Sequence, residues 1–270
     1  MYNKELQLAI KEAKKVGKIL LRNLGKSTFS IKGYSNKDWV TNVDHIVEET
    51  LIKAIKRHFP THQILAEEGG MAGPLSEFKW LIDPIDGTGN YHKGWPFFGI
   101  SIALQKQGKT VLGVVYNPVA DELFYAVKGG GAFLNKRRIH VSKHTREIGG
   151  LGVMEFGSKK LVQHKFGMRV LDSLRGSSFK VRLSGCASLD MCYTAAGRAD
   201  FCLLLDMWPW DVAASVLIAS EAGGKVIYFS KGSNKVKVNR NALTNVNVLV
   251  GNRQLCRKII SHLPKSLHKV

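Results

Sequence analysis

Three β-rich runs in the middle of the chain constrain its fold more than any other feature. They cover residues 98–104, 111–116 and 122–126, and the turn-forming pairs Gln107-Gly108 and Asn117-Pro118 separate them. Runs of this length joined by short turns are typical of neighbouring antiparallel strands. We therefore predict an antiparallel meander here.

Helical patterns surround this meander. Apolar residues at helical spacing predict one amphipathic helix from Leu6 to Leu24 and a second over residues 44–58. Short apolar runs predict strands over 63–66 and 79–82. Beyond the meander the chain alternates between predicted strands and helices, with strands at 151–154, 180–183, 199–205, 225–229 and 246–250 and helices at 160–174, 188–196, 211–222 and 252–262.

Sheets covered by helices predict a layered α/β or α+β architecture. The sequence contains no repeat, low-complexity tract or flexible linker. We therefore predict a single domain over residues 1–270, with an α+β part over about 1–145 and an α/β part over about 146–270.

The net charge of the chain is strongly positive. There are 40 Lys and Arg against 21 Asp and Glu, which gives +19. Such an excess favours anionic partners, among them phosphorylated metabolites, nucleic acid and acidic surfaces. The basic residues are spread along the whole chain, which is equally typical of a generally basic solvated surface.

Several protein classes are excluded by composition. No apolar run approaches the roughly 20 residues that a membrane-spanning helix needs. Residues 1–18 lack the basic-then-apolar layout of a secretory signal, so we expect a cytoplasmic protein without a membrane partner. The four cysteines form no CxxC pair, which argues against a zinc framework or a disulfide scaffold and predicts buried thiols.

The negative charge is concentrated in one short segment. Five of the 21 acids lie within the 20 residues from Glu67 to Asp86. The apolar run 80–82 leads to Asp83, and the glycine-rich turn 87–90 follows Asp86. Carboxylates at close quarters raise one another's pKa, and a hard divalent cation removes that penalty. Because the backbone N–H groups of a glycine-rich turn at a helix start favour phosphate, the segment predicts metal-assisted phosphoryl hydrolysis.

Local alternatives exist for these residues. The string Asp83-Pro84-Ile85-Asp86-Gly87 consists of residues that favour turns, so by itself it equally predicts a plain turn. Asp211 stands at the start of a helical pattern, where it is either an N-cap or a further metal ligand.

Longer motifs decide between these alternatives. Residues 83–90 read DPIDGTGN and resemble the D-P-I-D-G-T-x-N signature of the inositol monophosphatase family. Residues 210–214, with the Glu-Ala-Gly-Gly of 221–224, resemble its second signature, and residues 37–44 are similar to its K-x-x-V-T-x-x-D stretch. Residues 185–188 and 195–200 resemble its G-S-A and A-x-G-x-x-D elements, in the family's order.

The resemblance implies a fold and an activity. The fold would be a layered α-β-α-β-α sandwich like that of inositol monophosphatases and fructose-1,6-bisphosphatases. The activity would be that of a Mg²⁺-dependent phosphomonoesterase that uses metal-activated water and is inhibited by lithium. The substrate would be a small phosphorylated metabolite, and the protein would form a homodimer.

The resemblance also implies roles for individual residues. Two Mg²⁺ ions, with a third held weakly near Glu67, would be bound by Glu67, Asp83, the main-chain carbonyl of Ile85, Asp86 and Asp211. The residues implied in catalysis are Thr88 and Asp44, which would orient the attacking water, and Glu67. The residues implied in substrate binding are Gly87, Thr88, Gly185 and Asp211.

One position departs from the family pattern. Inositol-selective members carry an acid seven residues before the position of Asp211, where this chain has Leu204. Asp206 follows two residues later, which predicts the same strand face at a shifted depth. Because leucine cannot accept hydrogen bonds from a polyol, the substrate stays open among inositol phosphates, adenosine 3′,5′-bisphosphate, fructose 1,6-bisphosphate, histidinol phosphate and other sugar phosphates.

A different class of function is kept as the alternative. The charge of +19 is compatible with a protein that binds RNA or a ribonucleoprotein on a phosphatase scaffold. No interleaving of aromatic and basic residues typical of an RNA-binding module is present in the sequence, and all the expected metal ligands are. The phosphatase hypothesis is therefore favoured over nucleic-acid binding.

Overall fold

An eight-stranded sheet dominates the first half of the chain. The computed structural model describes residues 2–32, 39–156, 161–229 and 246–263. The elements up to residue 138 are α1 (Asn3–Asn23), β1 (Phe29–Ile31), β2 (Trp39–Thr41), α2 (Asn42–His58), β3 (Gln63–Ala66), β4 (Gly70–Ala72), β5 (Phe78–Asp86), α3 (Thr88–His92), β6 (Gly99–Lys106), β7 (Lys109–Asn117), β8 (Glu122–Val127), β9 (Ala132–Leu134) and β10 (Arg137–Arg138). The strand order is β10-β9-β8-β7-β6-β5-β3-β4, with β3 and β5 parallel, while β1 and β2 form a separate ribbon.

A five-stranded sheet forms the second half. Its elements are β11 (Leu151–Phe156), α4 (Leu161–Arg175), β12 (Lys180–Arg182), α5 (Ala187–Ala195), β13 (Phe201–Met207), α6 (Pro209–Glu221), β14 (Lys225–Phe229), β15 (Val246–Gly251) and α7 (Arg253–His262). The strand order is β12-β11-β13-β15-β14. β12, β11 and β13 are parallel, and β15 is antiparallel to both of its neighbours.

The helices and sheets stack in five layers. α1 and α2 cover one face of the eight-stranded sheet, and α5 and α6 cover the other face. α5 and α6 also pack against the five-stranded sheet, whose β11 and β15 contact α4 and α7. This arrangement confirms the predicted α-β-α-β-α sandwich.

α6 lies so close to the first sheet that one strand position must be glycine. A Cβ added to Gly113 of β7 would lie 2.5 Å from the carbonyl oxygen of Ala214. Apolar residues surround this helix on both sides, since it is buried between the two sheets. The close approach fixes the start of α6, and with it Asp211, against the ends of the first sheet's strands.

Several predicted elements are confirmed and some bounds differ. The meander is present as β6, β7 and β8. β5 does not end before Asp83 but continues to Asp86, with an irregularity in its pairing to β6 between these two residues. Residues 37 and 38 of the predicted motif and residue 160 of the predicted helix lie outside the described residues.

Two predictions from composition can also be compared with the structure. All four cysteines are buried free thiols. No helix within the described ranges is both long and apolar enough to cross a bilayer.

Candidate metal and phosphate site

Three acids from distant parts of the chain meet at one end of the first sheet. Glu67, Asp83 and Asp211 each offer a carboxylate oxygen, and these oxygens lie within 4.8 Å of one another. Parallel pairing of β3 with β5 places the first two side by side, because the N–H of Glu67 donates to the carbonyl of Ile82 at 3.1 Å. Asp211 comes from the first turn of α6.

The irregularity in β5 shapes the centre of this group. Asp83 is only 2% exposed, and its Oδ1 accepts a hydrogen bond from the N–H of Ile85 at 3.0 Å. The carbonyl oxygen of Ile85 accepts from Thr88 Oγ1 at 2.9 Å. Since a carbonyl oxygen has two lone pairs, it retains one for another donor or for a cation.

The electrostatics of the group call for a cation. Burial raises the pKa of Asp83 well above its ordinary value, and the charges of Glu67, Asp86 and Asp211 raise it further. The donors are carboxylate and carbonyl oxygens, which are the ligands that Mg²⁺ prefers. This set of residues therefore fits a hard divalent cation.

Lys32 already contacts the edge of the group. Its Nζ lies 2.9 Å from Glu67 Oε1 and also donates to Glu68. Burial alone would lower the pKa of Lys32, but the two carboxylates outweigh burial and raise it. The Lys32 contact shows that Glu67 attracts a cation in this fold.

Glu68 and Glu48 define the turn that follows Glu67. Burial, together with the charge of Glu67, raises the pKa of Glu68 to about 7, against the opposing effect of Lys32. Glu48 of α2 accepts hydrogen bonds from the N–H groups of Glu68 and Gly69 at 2.8 and 2.7 Å. Sequence reasoning missed Lys32 and Glu48. Glu48 left a signal, because it is an acid next to Val47 on the buried side of a predicted helix.

Asp44 and Thr88 form the second part of the site. Asp44 Oδ2 accepts from the N–H and the Oγ1 of Thr41 at 2.8 and 2.5 Å, which closes a capping box at the start of α2. Its other oxygen, Oδ1, lies 3.4 Å from Thr88 Oγ1. Burial raises the pKa of Asp44. The capping box thus fixes one carboxylate oxygen and leaves the other directed at the Thr88 hydroxyl.

Gly87 makes the turn from β5 into α3. Its φ of +88° is a conformation that favours glycine. A Cβ at this position would lie 3.0 Å from the carbonyl oxygen of Gly185, so the two halves of the molecule touch here. The first N–H groups of a helix have no acceptor within the helix, which makes the start of α3 a candidate phosphate contact.

Asp86 is the last residue of β5, and its carboxylate contacts the start of α5, outside the group of three acids. Its Oδ1 accepts from the N–H of Ala187 at 3.3 Å, and its Oδ2 accepts from the N–H of Ser188 at 2.5 Å and from Cys186 Sγ at 3.2 Å. Burial raises the pKa of Asp86, although the hydrogen bonds from Ser188 and Cys186 oppose the rise. A carboxylate at a helix N-terminus is also stabilised by the helix dipole. Asp86 therefore links β5 of the first half to α5 of the second.

The loop that contains Gly185 is anchored by several polar side chains. The N–H of Gly185 donates to Glu155 Oε1 at 2.5 Å, and Asn90 Nδ2 donates to the carbonyl of Ser184 at 2.8 Å. Ser184 Oγ donates to Asp190 Oδ1 at 2.8 Å, and Asp190 is 1% exposed. Burial raises the pKa of Glu155 to about 7. Sequence reasoning missed Glu155 and Asp190, because each lies on a predicted strand or helix without a recognisable motif.

Asp211 is the third residue of α6 and the N-cap is Trp208, so the predicted N-cap position is wrong, while the metal-ligand role stays a prediction. Its Oδ2 accepts from the N–H of Trp208 at 2.8 Å, so it caps the start of α6. It also belongs to the group of three acids. The hydrogen bond from the N–H of Trp208 thus helps to fix the position of the Asp211 carboxylate beside Glu67 and Asp83.

β13 is irregular between Leu204 and Asp206, so the predicted placement of both side chains on one strand face does not hold. Leu204 is fully buried in the core between the sheets. The pairing of β13 with β15 shifts between Leu204 and Met207, and Asp206 has a φ of +64°. Its N–H donates to Asn247 Oδ1 at 2.7 Å. The bulge breaks the alternation from which the face of Asp206 was predicted.

Known proteins resemble the chain over nearly its whole length. The model of a family described as the inositol monophosphatase family matches residues 1–268. A protein named Nus factor SuhB from Vibrio cholerae is 40% identical over 232 residues, which are 84% of this chain and 86% of that protein. Among solved structures, the extragenic suppressor protein suhB from Bartonella henselae has a TM-score of 0.86 at 34% identity and covers 97% of this chain and 99% of its own. The IMPase of Thermotoga maritima has a TM-score of 0.83 at 33% identity, with coverages of 97% and 98%.

Proposed function

The chain belongs to the inositol monophosphatase family, and on that premise we propose that it is a Mg²⁺-dependent hydrolase of small phosphate monoesters. The observation that carries the proposal is the group of three carboxylates, Glu67, Asp83 and Asp211, within 4.8 Å of one another. Burial of Asp83 in this group raises its pKa, so keeping its carboxylate ionised without a bound cation would cost folding stability. A bound cation would offset the repulsion between the carboxylates and use them as its ligands.

The proposal assigns the metal ligands as follows. Glu67, Asp83 and the carbonyl of Ile85 would hold one ion. Asp83, Asp86 and Asp211 would hold a second, and a third would lie weakly at Glu67. When bound, such ions stabilise negative charge on the phosphoryl oxygens and lower the pKa of water.

Thr88 and Asp44 would orient the attacking water. The Thr88 hydroxyl donates to the carbonyl of Ile85 at 2.9 Å, so its lone pairs can accept a hydrogen bond from water, and Asp44 Oδ1, 3.4 Å from the same hydroxyl, can accept another. Thr41 holds the opposite oxygen, Oδ2, so the Asp44 carboxylate keeps its direction. Positioning of this kind is the main contribution a protein makes to phosphoryl transfer.

The phosphate would bind at the junction of the two halves. The N–H groups of Gly87 and Thr88 at the start of α3 are the proposed phosphate donors. Gly185, in the loop before α5, and Asp211, in the first turn of α6, would contact the substrate. A covalent thiol intermediate is not part of the proposal, since Cys186 is fully buried and burial raises its pKa well above the ordinary value.

The substrate class follows from what the site lacks. Leu204 is buried in the core and offers no hydrogen-bond acceptor to a polyol. We therefore propose a small sugar or nucleotide phosphate as readily as inositol monophosphate. We also propose that the protein acts in the cytoplasm as a homodimer and is inhibited by lithium, as the family resemblance implies.

A panel of phosphorylated metabolites tests this function. Purified protein is incubated with inositol 1-phosphate, fructose 1,6-bisphosphate, adenosine 3′,5′-bisphosphate and histidinol phosphate, and released phosphate is measured. We expect turnover of at least one compound that needs Mg²⁺ and falls with lithium or a chelator. Turnover that ignores divalent metal, or no turnover of any compound, would contradict the proposal.

Binding of RNA or a ribonucleoprotein is the second candidate function. It is favoured by the charge of +19 and by the name Nus factor that curated relatives carry. Gel shifts at rising salt, with and without Mg²⁺, separate the two. Tight binding by a protein that shows no phosphatase turnover would favour this second function over the first.

A further inference from the structure

The outer sides of α1 and α2 enclose a groove that the proposed catalysis does not use. The groove has a volume of about 510 Å³. Its lining consists of Lys11, Glu12 and Lys15 from α1 and Thr50, Lys53, Ala54, Arg57 and His58 from α2. Because residues four apart lie on the same face of a helix, each helix presents two permanent cations to the groove.

The charges in the groove do not balance. Glu12 pairs with Lys15 at 3.3 Å, and Glu49 pairs with Lys53 at 2.6 Å. Lys11 and Arg57 make no ion pair with any acid among the described residues. The side chains of Lys15 and Lys53 are 58% and 72% exposed despite their partners. The groove thus carries an excess of positive charge that is open to solvent.

A purely structural explanation covers only part of this excess. Cations in the last turn of a helix stabilise it through the helix dipole, which accounts for Arg57 and His58 at the end of α2. Lys11 and Lys15 lie in the middle of α1, where the dipole gives them no such role. Lys53 lies more than one turn before the end of α2. Helix stability accounts for Lys15 and Lys53 only in part, through their exposed intrahelical pairs with Glu12 and Glu49, and it gives no role to Lys11.

The lining favours a phosphate backbone over a protein partner. Protein interfaces depend on buried aromatic or large apolar anchors. Within the described parts of the chain, no exposed large apolar side chain lines this groove. Flexible lysines and an arginine around an open groove suit contacts to phosphates, which require charge but no apolar pocket.

We propose that the α1–α2 groove binds single-stranded RNA through its phosphate backbone, without reading its sequence. The proposal rests on the second candidate function and gives it a surface, but it does not depend on phosphatase activity. Thr50 and Arg57 of the lining follow Asp44 on the same helix by 6 and 13 residues, which places the groove about 9 to 20 Å along the helix axis from Asp44. One molecule can therefore carry both functions.

Fluorescence anisotropy with a labelled single-stranded RNA of about 16 nucleotides tests the proposal. The groove variant is K11Q/K15Q/K53Q/R57Q. The matched control is K109Q/K128Q/K180Q/R253Q, which removes the same charges from exposed positions elsewhere. We expect the groove variant to bind about tenfold more weakly or worse, while the control binds like the wild type. Across about 50 to 200 mM salt, log affinity falls with log salt, and this slope should become less steep by about 3 when four phosphate contacts are lost.

Each outcome decides a different point. Phosphatase turnover by the groove variant is expected to equal that of the wild type, which shows that it is folded. If the wild type binds RNA and both variants weaken equally, the groove is not the site, although RNA binding stands. If the wild type does not bind RNA, the groove proposal fails, and of the second candidate function only binding to the protein part of a ribonucleoprotein stands. If labelled poly-L-glutamate binds the groove more tightly than the RNA at equal charge concentration, the groove favours an acidic protein and the assignment to RNA is wrong.

Discussion

The two sheets contribute to the candidate site in different ways. The first half supplies Glu67, Asp83 and Asp86 from one short stretch, placed by strand pairing. The second half supplies a single acid, Asp211, together with the N–H groups at the start of α5 that bind Asp86. The first half therefore provides most of the negative charge, and the second provides donors that hold part of it in place.

This difference implies that neither half can form the site alone. Asp86 ends β5 in the first half. Its carboxylate accepts a hydrogen bond from the start of α5 in the second half. The contact between Gly87 and Gly185 lies at the same junction. Changes in the first half should therefore act on charge, whereas changes in the second should act on position.

The largest effect is expected for Asp83→Asn, at the centre of the charged half. Loss of a ligand shared by two ions should lower kcat/KM about 10³-fold. In metal-free buffer, the melting temperature should not fall, because the variant removes a buried charge whose pKa is raised. Steady-state kinetics and thermal unfolding check both expectations, with Asp172→Asn, an exposed acid, as the control. Near-normal Mg²⁺-dependent activity in Asp83→Asn would disprove the metal assignment.

Asp211 sharpens the comparison, because it combines charge with position. Asp211→Asn keeps a side-chain oxygen for the N–H of Trp208, whereas Asp211→Ala loses it. We expect both to lower activity about 10²-fold, and only the alanine variant to lose about 1 kcal/mol of stability. Kinetics and urea unfolding of the pair separate the two roles. Full activity in Asp211→Asn would mean that Asp211 is only a helix cap.

Thr88 tests whether a hydroxyl, and not only charge, is needed. Thr88→Val removes the Oγ1 that contacts Ile85 and Asp44, and should lower kcat about 10²-fold. Thr88→Ser retains the hydroxyl and should stay close to wild-type activity. Comparable activities in the two variants would show that the hydroxyl takes no part in orienting water.

The smallest effect is expected from Glu155, in the second half. Burial raises its pKa in the folded protein to about 7, from an ordinary value near 4.5. A raised carboxyl pKa contributes stability below about pH 4.5, and this contribution is lost as the pH rises to about 7. The melting temperature of Glu155→Gln, relative to wild type, should therefore be higher at about pH 8 than at about pH 5 in metal-free buffer. The exposed Glu49→Gln serves as the control, and an equal difference at both pH values would contradict the assignment.

The first half of the site was more predictable from sequence than the second. Glu67, Asp83 and Asp86 stand out because acids are crowded in a basic chain, and the apolar run before Asp83 indicates a strand. The layered fold followed from strand and helix periodicities. The bulge that extends β5 to Asp86 has no such local signal, since the residues around Pro84 equally favour a turn.

The site residues of the second half could be predicted only through family resemblance. Asp211 reads locally as a helix cap, and its meeting with Asp83 depends on how closely α6 packs on β7. The contacts of Lys32, Glu155 and Asp190 arise from long-range packing, which no local pattern encodes. The bulge at Asp206 likewise depends on pairing with a distant strand, which is why its strand face could not be predicted by alternation.

Anomalous diffraction from crystals soaked in Mn²⁺, a substitute for Mg²⁺, tests the central claim most directly. We predict an anomalous peak bound by carboxylate oxygens of Glu67, Asp83 and Asp211, with metal–oxygen distances of about 2.0–2.3 Å. A well-ordered crystal that shows these three side chains together and no metal between them would contradict the account.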